Sequence, residues 1–313
     1  MKAAQIKEYG DANVVTISQN VPRPSAGNGK IVVEVHAASL NPVDSIIRLG
    51  YMHKMVPLQF PATLGIDIAG IVVEGDSAAG GLKVGDRVFG GASALAGGTG
   101  AFAEFAAVPA ASVAKAPANL SFAEAAALPL AGVSALQAIV ETLKPAKGST
   151  ILILGGSGAI GSFAIQMAKK LGAHVVAVCR PSAIDYVKSL GADQVIDFER
   201  GTFPESLRDC DAIFDTAGGD AYKSSFVVLK KGGTSITMAG QPDLELAAKY
   251  GVTALGQMTG VTTARLDALA KLVTDGNVKV HVERVFPLDK VKEAFLARES
   301  GHLKGKIVLQ IKE

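Results

Sequence analysis

Tryptophan is absent from this 313-residue chain, and cysteine is limited to Cys179 and Cys210. Two thiols build neither a disulfide framework nor a four-thiolate zinc site, and they suit a reducing compartment. The five histidines, His36, His53, His174, His281 and His302, are scattered without the spacing of metal ligands. Net charge is only +2, and no run of basic residues alternates with aromatics. That disfavours nucleic acid as a partner. The longest apolar run, residues 125–140, is broken by Pro129 and Gly132 and is short for a bilayer span. Residues 1–9 lack the apolar core of a signal peptide and read as a strand. The expectation is a cytoplasmic protein with no membrane partner.

What the chain does have is apolar residues, at 49%, and 35 glycines. Length and composition together indicate a well-cored protein of two domains or one large one. One glycine cluster is informative. Gly155, Gly156, Ser157, Gly158, Ala159, Ile160 and Gly161 lie between an apolar strand at 150–154 and a helix at 162–171. A glycine-rich turn joining a strand to a helix is where a dinucleotide pyrophosphate binds. Glycines let the backbone turn tightly and approach the phosphates, and the N–H groups of the helix N-terminus face their charge. The alternative is a tight turn in an empty α/β domain. The next strand, 174–179, ends at Arg180. An NAD-binding turn is usually followed there by an acid for the ribose hydroxyls, whereas a cation suits the 2′-phosphate of NADP. Ser182 adds a hydroxyl. The expected cofactor is therefore NADPH, the alternative being a solvated arginine that ends a strand.

Segments with strand character at 2–6, 31–37, 66–74, 87–89 and 103–109 dominate residues 1–120. Residues 90–101, nearly all Gly, Ala, Ser and Thr, read as a mobile loop with nothing to anchor it by burial. Ser121-Phe122-Ala123-Glu124 is a capping box opening an alanine-rich helix. Strands at 150–154, 175–179, 194–198, 212–216 and 235–239 alternate with helices beginning near 158, 182 and 221. Such alternation predicts a parallel sheet with helices on both faces. A strand at 252–257, a helix at 263–273, a strand at 282–286 and a helix at 289–298 follow. A final strand at 306–311 returns to the first domain. Cys179 falls on a buried strand as a small apolar filler.

Four stretches give the whole chain a family likeness: residues 37–44 (AASLNPVD), 61–70 (PATLGIDIAG), 155–161 (GGSGAIG) and 301–308 (GHLKGKIV). With them the chain resembles the medium-chain dehydrogenase/reductase superfamily, and within it the zinc-independent quinone oxidoreductase branch that includes zeta-crystallin and the alkenal/enone reductases. The resemblance implies an α/β fold. A GroES-like, mostly-β catalytic domain would span residues 1–123, completed by 271–313. A Rossmann domain with a doubly wound parallel sheet would span 124–270. Asn41 replaces the first zinc thiolate of the alcohol dehydrogenases, and Ile66 and Asp67 stand where that branch has His and Glu. The four-cysteine structural lobe is missing. No metal site is expected.

The resemblance further implies hydride transfer from NADPH to a quinone or to the β-carbon of an α,β-unsaturated carbonyl. Asn41, Asp44 and Tyr51 are the catalytic candidates. Asn41 donates to the acceptor's oxygen or positions the nicotinamide, Asp44 lies near the nicotinamide ribose, and Tyr51 or a held water supplies the proton. Residues 41–44 read equally as an Asx turn with a helix cap, and Tyr51 as an exposed loop aromatic. Carried over position by position, Ser134 lies beside the nicotinamide and Phe198 near the 2′-phosphate. Thr216, Ala217 and Gly218 lie near the adenosine ribose. Ala239 and Gly240 lie near the nicotinamide, whose carboxamide Gln257 and Met258 hold through backbone atoms. Lys306 reaches the cofactor phosphates or is solvated. A homodimer through the nucleotide domains is expected. The competing readings are an enoyl-thioester reductase and a non-catalytic NADPH-binding protein.

Overall fold

The computed structural model describes every residue except 56, 76–80, 201–202, 204–206, 302 and 313. In chain order the first elements are β1 (Ala3–Ile6), β2 (Val15–Ser18), β3 (Lys30–Leu40), α1 (Pro42–Arg48), β4 (Ala62–Thr63), β5 (Asp67–Glu74), β6 (Arg87–Gly91), β7 (Phe105–Pro109), β8 (Val113–Lys115), α2 (Phe122–Ala126) and α3 (Pro129–Leu136). A π-helical stretch, Gln137–Leu143, continues from α3. Then come β9 (Thr150–Leu154), α4 (Ala159–Lys170), β10 (His174–Cys179), α5 (Ile184–Ser189), β11 (Gln194–Asp197), β12 (Cys210–Asp215), α6 (Gly219–Ser225), β13 (Leu229–Thr237), α7 (Leu244–Tyr250) and β14 (Thr253–Gly256). The chain finishes with α8 (Thr263–Thr274), β15 (Val282–Pro287), α9 (Val291–Glu299) and β16 (Lys306–Gln310).

The chain divides into two compact units, one of residues 1–133, 261–275 and 280–313, the other of residues 134–260 and 276–279. The boundaries thus fall at 133/134 and 260/261, where the sequence places them at 123/124 and 270/271. Helix α8 accounts for part of this. Its Thr263 hydroxyl donates to the carbonyls of Ala110 and Val113, which ties it to the first unit.

The first unit is mostly β. A seven-stranded sheet runs β15-β16-β3-β5-β6-β8, with β7 also paired to β3, and a three-stranded sheet runs β2-β1-β4. Strand β3 is long because it serves several partners. It pairs antiparallel with β5, β7 and β16. Its burial explains its composition: Ile31, Val32, Val33, Val35, Ala37 and Ala38 are fully buried. Strand β16 brings the end of the chain back onto it, with Ile307 opposite Leu40. The expected mobile loop at 90–101 is instead anchored. Ala92 and Ala101 are fully buried, and the N–H groups of Gly98 and Gly100 bond the carbonyls of Ser93 and Ala92. Small residues are there because the backbone packs closely: a Cβ on Gly100 would sit 2.3 Å from the Thr63 carbonyl oxygen.

The second unit holds a six-stranded, all-parallel sheet in the order β11-β10-β9-β12-β13-β14. Strand β9 is central, so its side chains Ile151 to Leu154 are fully buried and uniformly apolar. The order reverses beside β9: the chain builds outward to β10 and β11, then returns to the other side through β12. That reversal opens a crevice at the carboxyl ends of the strands, the place where α/β sheets bind ligands. Cys179 and Cys210 are buried free thiols, and burial raises both to about 11. They are inert fillers rather than nucleophiles.

Candidate active site

In the second unit, β9 ends at Leu154 and the chain turns at Gly155, whose φ of +78° favours glycine. The Gly156 N–H bonds the Val178 carbonyl, and the Gly158 N–H bonds the Gly155 carbonyl. Gly158 then caps α4. The third glycine is a packing necessity. A Cβ on Gly161 would lie 2.2 Å from the Gly155 oxygen and 2.8 Å from the Gly156 Cα. Ser157, Ala159 and Ile160 complete the turn, half-buried. No acid occupies the first turn of α4, so its N–H groups face a site that favours an anion. The turn therefore fits the pyrophosphate of a dinucleotide.

The other predicted cofactor residues gather along the same carboxyl edge. Arg180 follows β10, and Arg180 and Ser182 are exposed. Phe198 follows β11 at 48% exposure and opens a short 3₁₀ turn. Thr216 follows β12, and its hydroxyl bonds the Leu154 carbonyl. The Ala217 and Gly218 N–H groups both donate to Asp215 Oδ1, while Asp215 Oδ2 accepts from the Thr237 hydroxyl. Thr237 Oγ1 in turn accepts from the Ala239 N–H. Asp215 is fully buried and braces the ends of β12 and β13 together, a role the sequence reading missed. An acid closing an apolar strand was the available signal. Gly218, Ala239 and Gly240 line a cavity of about 490 Å³ with Tyr222 and Thr237. Beyond β14, Gln257 and Met258 run past the π-helical stretch, and the Ser134 hydroxyl bonds that of Thr259.

In the first unit a second constellation forms around Asp67, at the start of β5. Its Oδ2 accepts from Ser39 Oγ (3.1 Å), Asn41 Nδ2 (2.9 Å) and Lys306 Nζ (3.3 Å), and its Oδ1 from the Leu130 N–H (3.0 Å). Lys306 Nζ also donates to Asn41 Oδ1 at 2.5 Å. All these side chains are buried, Asp67 completely and Lys306 to 3% exposure. Lys306 is thus neither solvated nor directed at a phosphate. Its ammonium is engaged by Asn41 and Asp67, and burial pulls its pKa down. Asn41 caps α1, and its backbone N–H donates to Asp44 Oδ2 at 2.7 Å. Asp44 is buried, its Oδ1 has no hydrogen-bond partner, and it lines a small cavity with Thr63, Ile66 and Ser93. Burial, helped by the nearby Asp67 carboxylate, raises Asp44 to about 7 against the opposing Asn41 hydrogen bond and the Lys306 and Arg298 charges. Tyr51 lies in a turn after α1, 77% exposed. The structure therefore joins Asn41, Asp44 and Lys306 in one buried cluster and leaves Tyr51 outside it.

Residues 27–118 match the family described as the alcohol dehydrogenase GroES-like domain, and residues 190–309 match that described as zinc-binding dehydrogenase. The mitochondrial NAD(P)H oxidoreductase RTN4IP1 of Mus musculus is 35% identical over 99% of this chain and 89% of its own length. The chain belongs to the medium-chain dehydrogenase/reductase superfamily, in its zinc-independent quinone oxidoreductase branch. The chloroplastic NADPH-dependent alkenal/one oxidoreductase of Arabidopsis thaliana is 35% identical over 99% of this chain and 79% of its own. A solved structure of the quinone oxidoreductase from Coxiella burnetii superposes with a TM-score of 0.90 at 30% identity, covering 100% of this chain and 99% of that one. The GroES-like and Rossmann halves of the superfamily are the two units described above.

The zinc in one family's description does not fit the residues present. At the positions where zinc-dependent members of the superfamily carry ligands, Asn41 and Asp67 both bond the Lys306 ammonium. A divalent cation there would meet a positive charge already in place. Among the described residues, no three His, Cys, Asp or Glu side chains converge as metal ligands do. His36 pairs with Glu34, His174 with Asp193 and His281 with Glu283, while His53 bonds the Gly50 carbonyl. His302 lies outside the described residues.

Proposed function

We propose that this chain is an NADPH-dependent reductase that passes hydride to a quinone or to the β-carbon of an α,β-unsaturated carbonyl. The observation that carries this is the glycine turn at the β9 crevice, with a cation, Arg180, ending the neighbouring strand. The names of the quinone and alkenal/one oxidoreductases it resembles support the acceptor class. Bound NADPH supplies the hydride from its nicotinamide ring. The chain's own residues bind and orient. The N–H groups opening α4 face the pyrophosphate, and Arg180 with Ser182 takes the 2′-phosphate, beside Phe198. Thr216, Ala217 and Gly218 frame the adenosine ribose, and Ser134, Ala239, Gly240, Gln257 and Met258 frame the nicotinamide.

Asn41 retains one amide N–H beyond the one given to Asp67, and that donor suits the oxygen of the acceptor. Asp44 holds the turn that presents Asn41, and Tyr51 provides a phenol at the surface of the same unit. Supporting a homodimer is β14, an edge strand with exposed Thr253, Leu255 and Gly256 that can pair with a second copy. A cytoplasmic location is supported by the two reduced thiols.

An NADPH-oxidation screen over quinones, alkenals and cyclic enones tests the reading. Oxidation with at least one class is expected, with NADPH preferred over NADH. Arg180→Ala should lower kcat/KM for NADPH by about 10–100-fold while leaving NADH nearly unchanged. Tight NADPH binding without turnover of any acceptor would favour the non-catalytic alternative.

A further inference from the structure

The helix that begins with α3 changes pitch at Gln137. From there to Leu143 it is π-helical, and its final Lys144 N–H reaches back five residues to the Ile139 carbonyl. A π stretch costs regular hydrogen bonding, and such turns recur at functional sites. Gln137, the first residue of this stretch, and Ser134 in the α-helical turn before it make a set of contacts to residues 257–260, the segment that leaves β14. Gln137 Oε1 accepts the Gly260 N–H at 2.8 Å, and its Nε2 donates to the Met258 carbonyl at 3.4 Å. One side-chain amide thus pairs with two backbone groups two residues apart, as a neighbouring strand would. Ser134, one turn earlier on the same helix face, bonds Thr259 at 2.6 Å. The Gln257 side chain bonds back to the Ser134 carbonyl at 2.9 Å. Residues 257 to 260 are therefore each held, Met258 and Gly260 through their backbone and Gln257 and Thr259 through their side chains, and none of these bonds uses the Met258 N–H.

That segment lies at the carboxyl edge of the sheet on the β12-to-β14 side of β9. If Arg180, on the β10 side, takes the adenosine end of the cofactor, the nicotinamide end must extend toward β14. We propose that Gln137 is a positioning residue: it fixes the 258–260 backbone so that this backbone receives the nicotinamide carboxamide in one orientation. The inference rests on the NADPH reading above and adds a residue that would touch neither cofactor nor substrate.

The test compares two ligands that differ only at the nicotinamide end. NADPH and 2′-phospho-ADP-ribose, which lacks the ring, are titrated against the wild-type protein, Gln137→Ala and Gln137→Glu. Gln137→Ala should weaken NADPH about tenfold and leave 2′-phospho-ADP-ribose unchanged. Gln137→Glu keeps the acceptor for Gly260 and loses the donor to Met258, so it should fall between. Stereospecificity of transfer from NADPH deuterated on one face of C4 should also decline in Gln137→Ala. Equal weakening of both ligands would mean a merely structural role and overturn the proposal, as would unchanged NADPH binding in both variants. A wild-type protein that binds neither ligand overturns the proposal and the NADPH reading beneath it together. Wild-type binding of both ligands with a loss confined to the variants' NADPH affinity supports both.

Discussion

The cluster around Asp67 is made of side chains, and the turn at Gly155–Gly161 is made of backbone. In the first, four donors, from positions 39, 41, 130 and 306, converge on one carboxylate, and burial raises the pKa of Asp44 and lowers that of Lys306. In the second, what matters is the absence of Cβ atoms and the direction of N–H groups. A backbone site tolerates little change of shape and is indifferent to pH. A side-chain site tolerates changes of shape better than changes of charge, and it responds to pH. The two regions should therefore fail in different ways.

The largest effect should come from removing the buried cation. Lys306→Met leaves Asp67 without its ion pair and Asn41 Oδ1 without its donor, at a cost of about 3–5 kcal/mol in urea unfolding at pH 7. A loss below about 1 kcal/mol would show that the pair is balanced by its own desolvation. The next effect concerns pH. Asp44 rises from 3.8 in the unfolded chain to about 7 in the folded one, so the native protein binds a proton more tightly than the unfolded chain. Its contribution is most favourable at low pH and is lost as pH climbs from about 4 through 7. Between pH 5 and 7 this group alone should lower stability by about 2–3 kcal/mol. Asp44→Asn, which keeps an acceptor for the Asn41 N–H, should flatten that slope. An unchanged slope between pH 5 and 8 would remove Asp44 as its source.

The smallest of the three tests the backbone site. Gly161→Ala drives a Cβ into the Gly155 carbonyl and should cost about 1–3 kcal/mol of stability. It should weaken NADPH at least tenfold by shifting the turn, without any new pH dependence. If that variant gained a pH-dependent defect instead, the contrast between the two regions would not hold.

The same contrast explains what could be read from sequence. The glycine turn was legible because a conformational requirement maps onto one residue type at fixed spacing. So were the capping box at Ser121, where Glu124 bonds back to the Ser121 N–H, and the alternation that builds the parallel sheet. Arg180 was legible as a cation closing an apolar strand. The fate of Lys306 was not, because it depends on partners 239 and 265 positions away. Asp67 gave a partial signal, an acid inside an apolar run, which implies a buried partner without saying which. Residues 90–101 read as a mobile loop because small side chains bury little, yet close backbone packing is what they allow. The π-helical turn from Gln137 left no signal, and neither did the Gln137 side-chain bonds, whose partners Met258 and Gly260 lie 121 and 123 positions away.

Strand β16 has a consequence for how the protein is made. The 239 positions between Asp67 and Lys306 take on the order of 10–50 s to translate at about 5–20 residues per second. For that interval the nascent first unit holds a carboxylate destined for burial and no ammonium to meet it, and β3 lacks its β16 neighbour. The last strand of the second unit's sheet, β14, is complete at Gly256, so that sheet is synthesised while the first unit still lacks β16. Arrival of Lys306 brings both the ammonium that meets the buried acid and the strand that pairs with β3, so the discontinuous first unit is completed only after the chain has passed through the second.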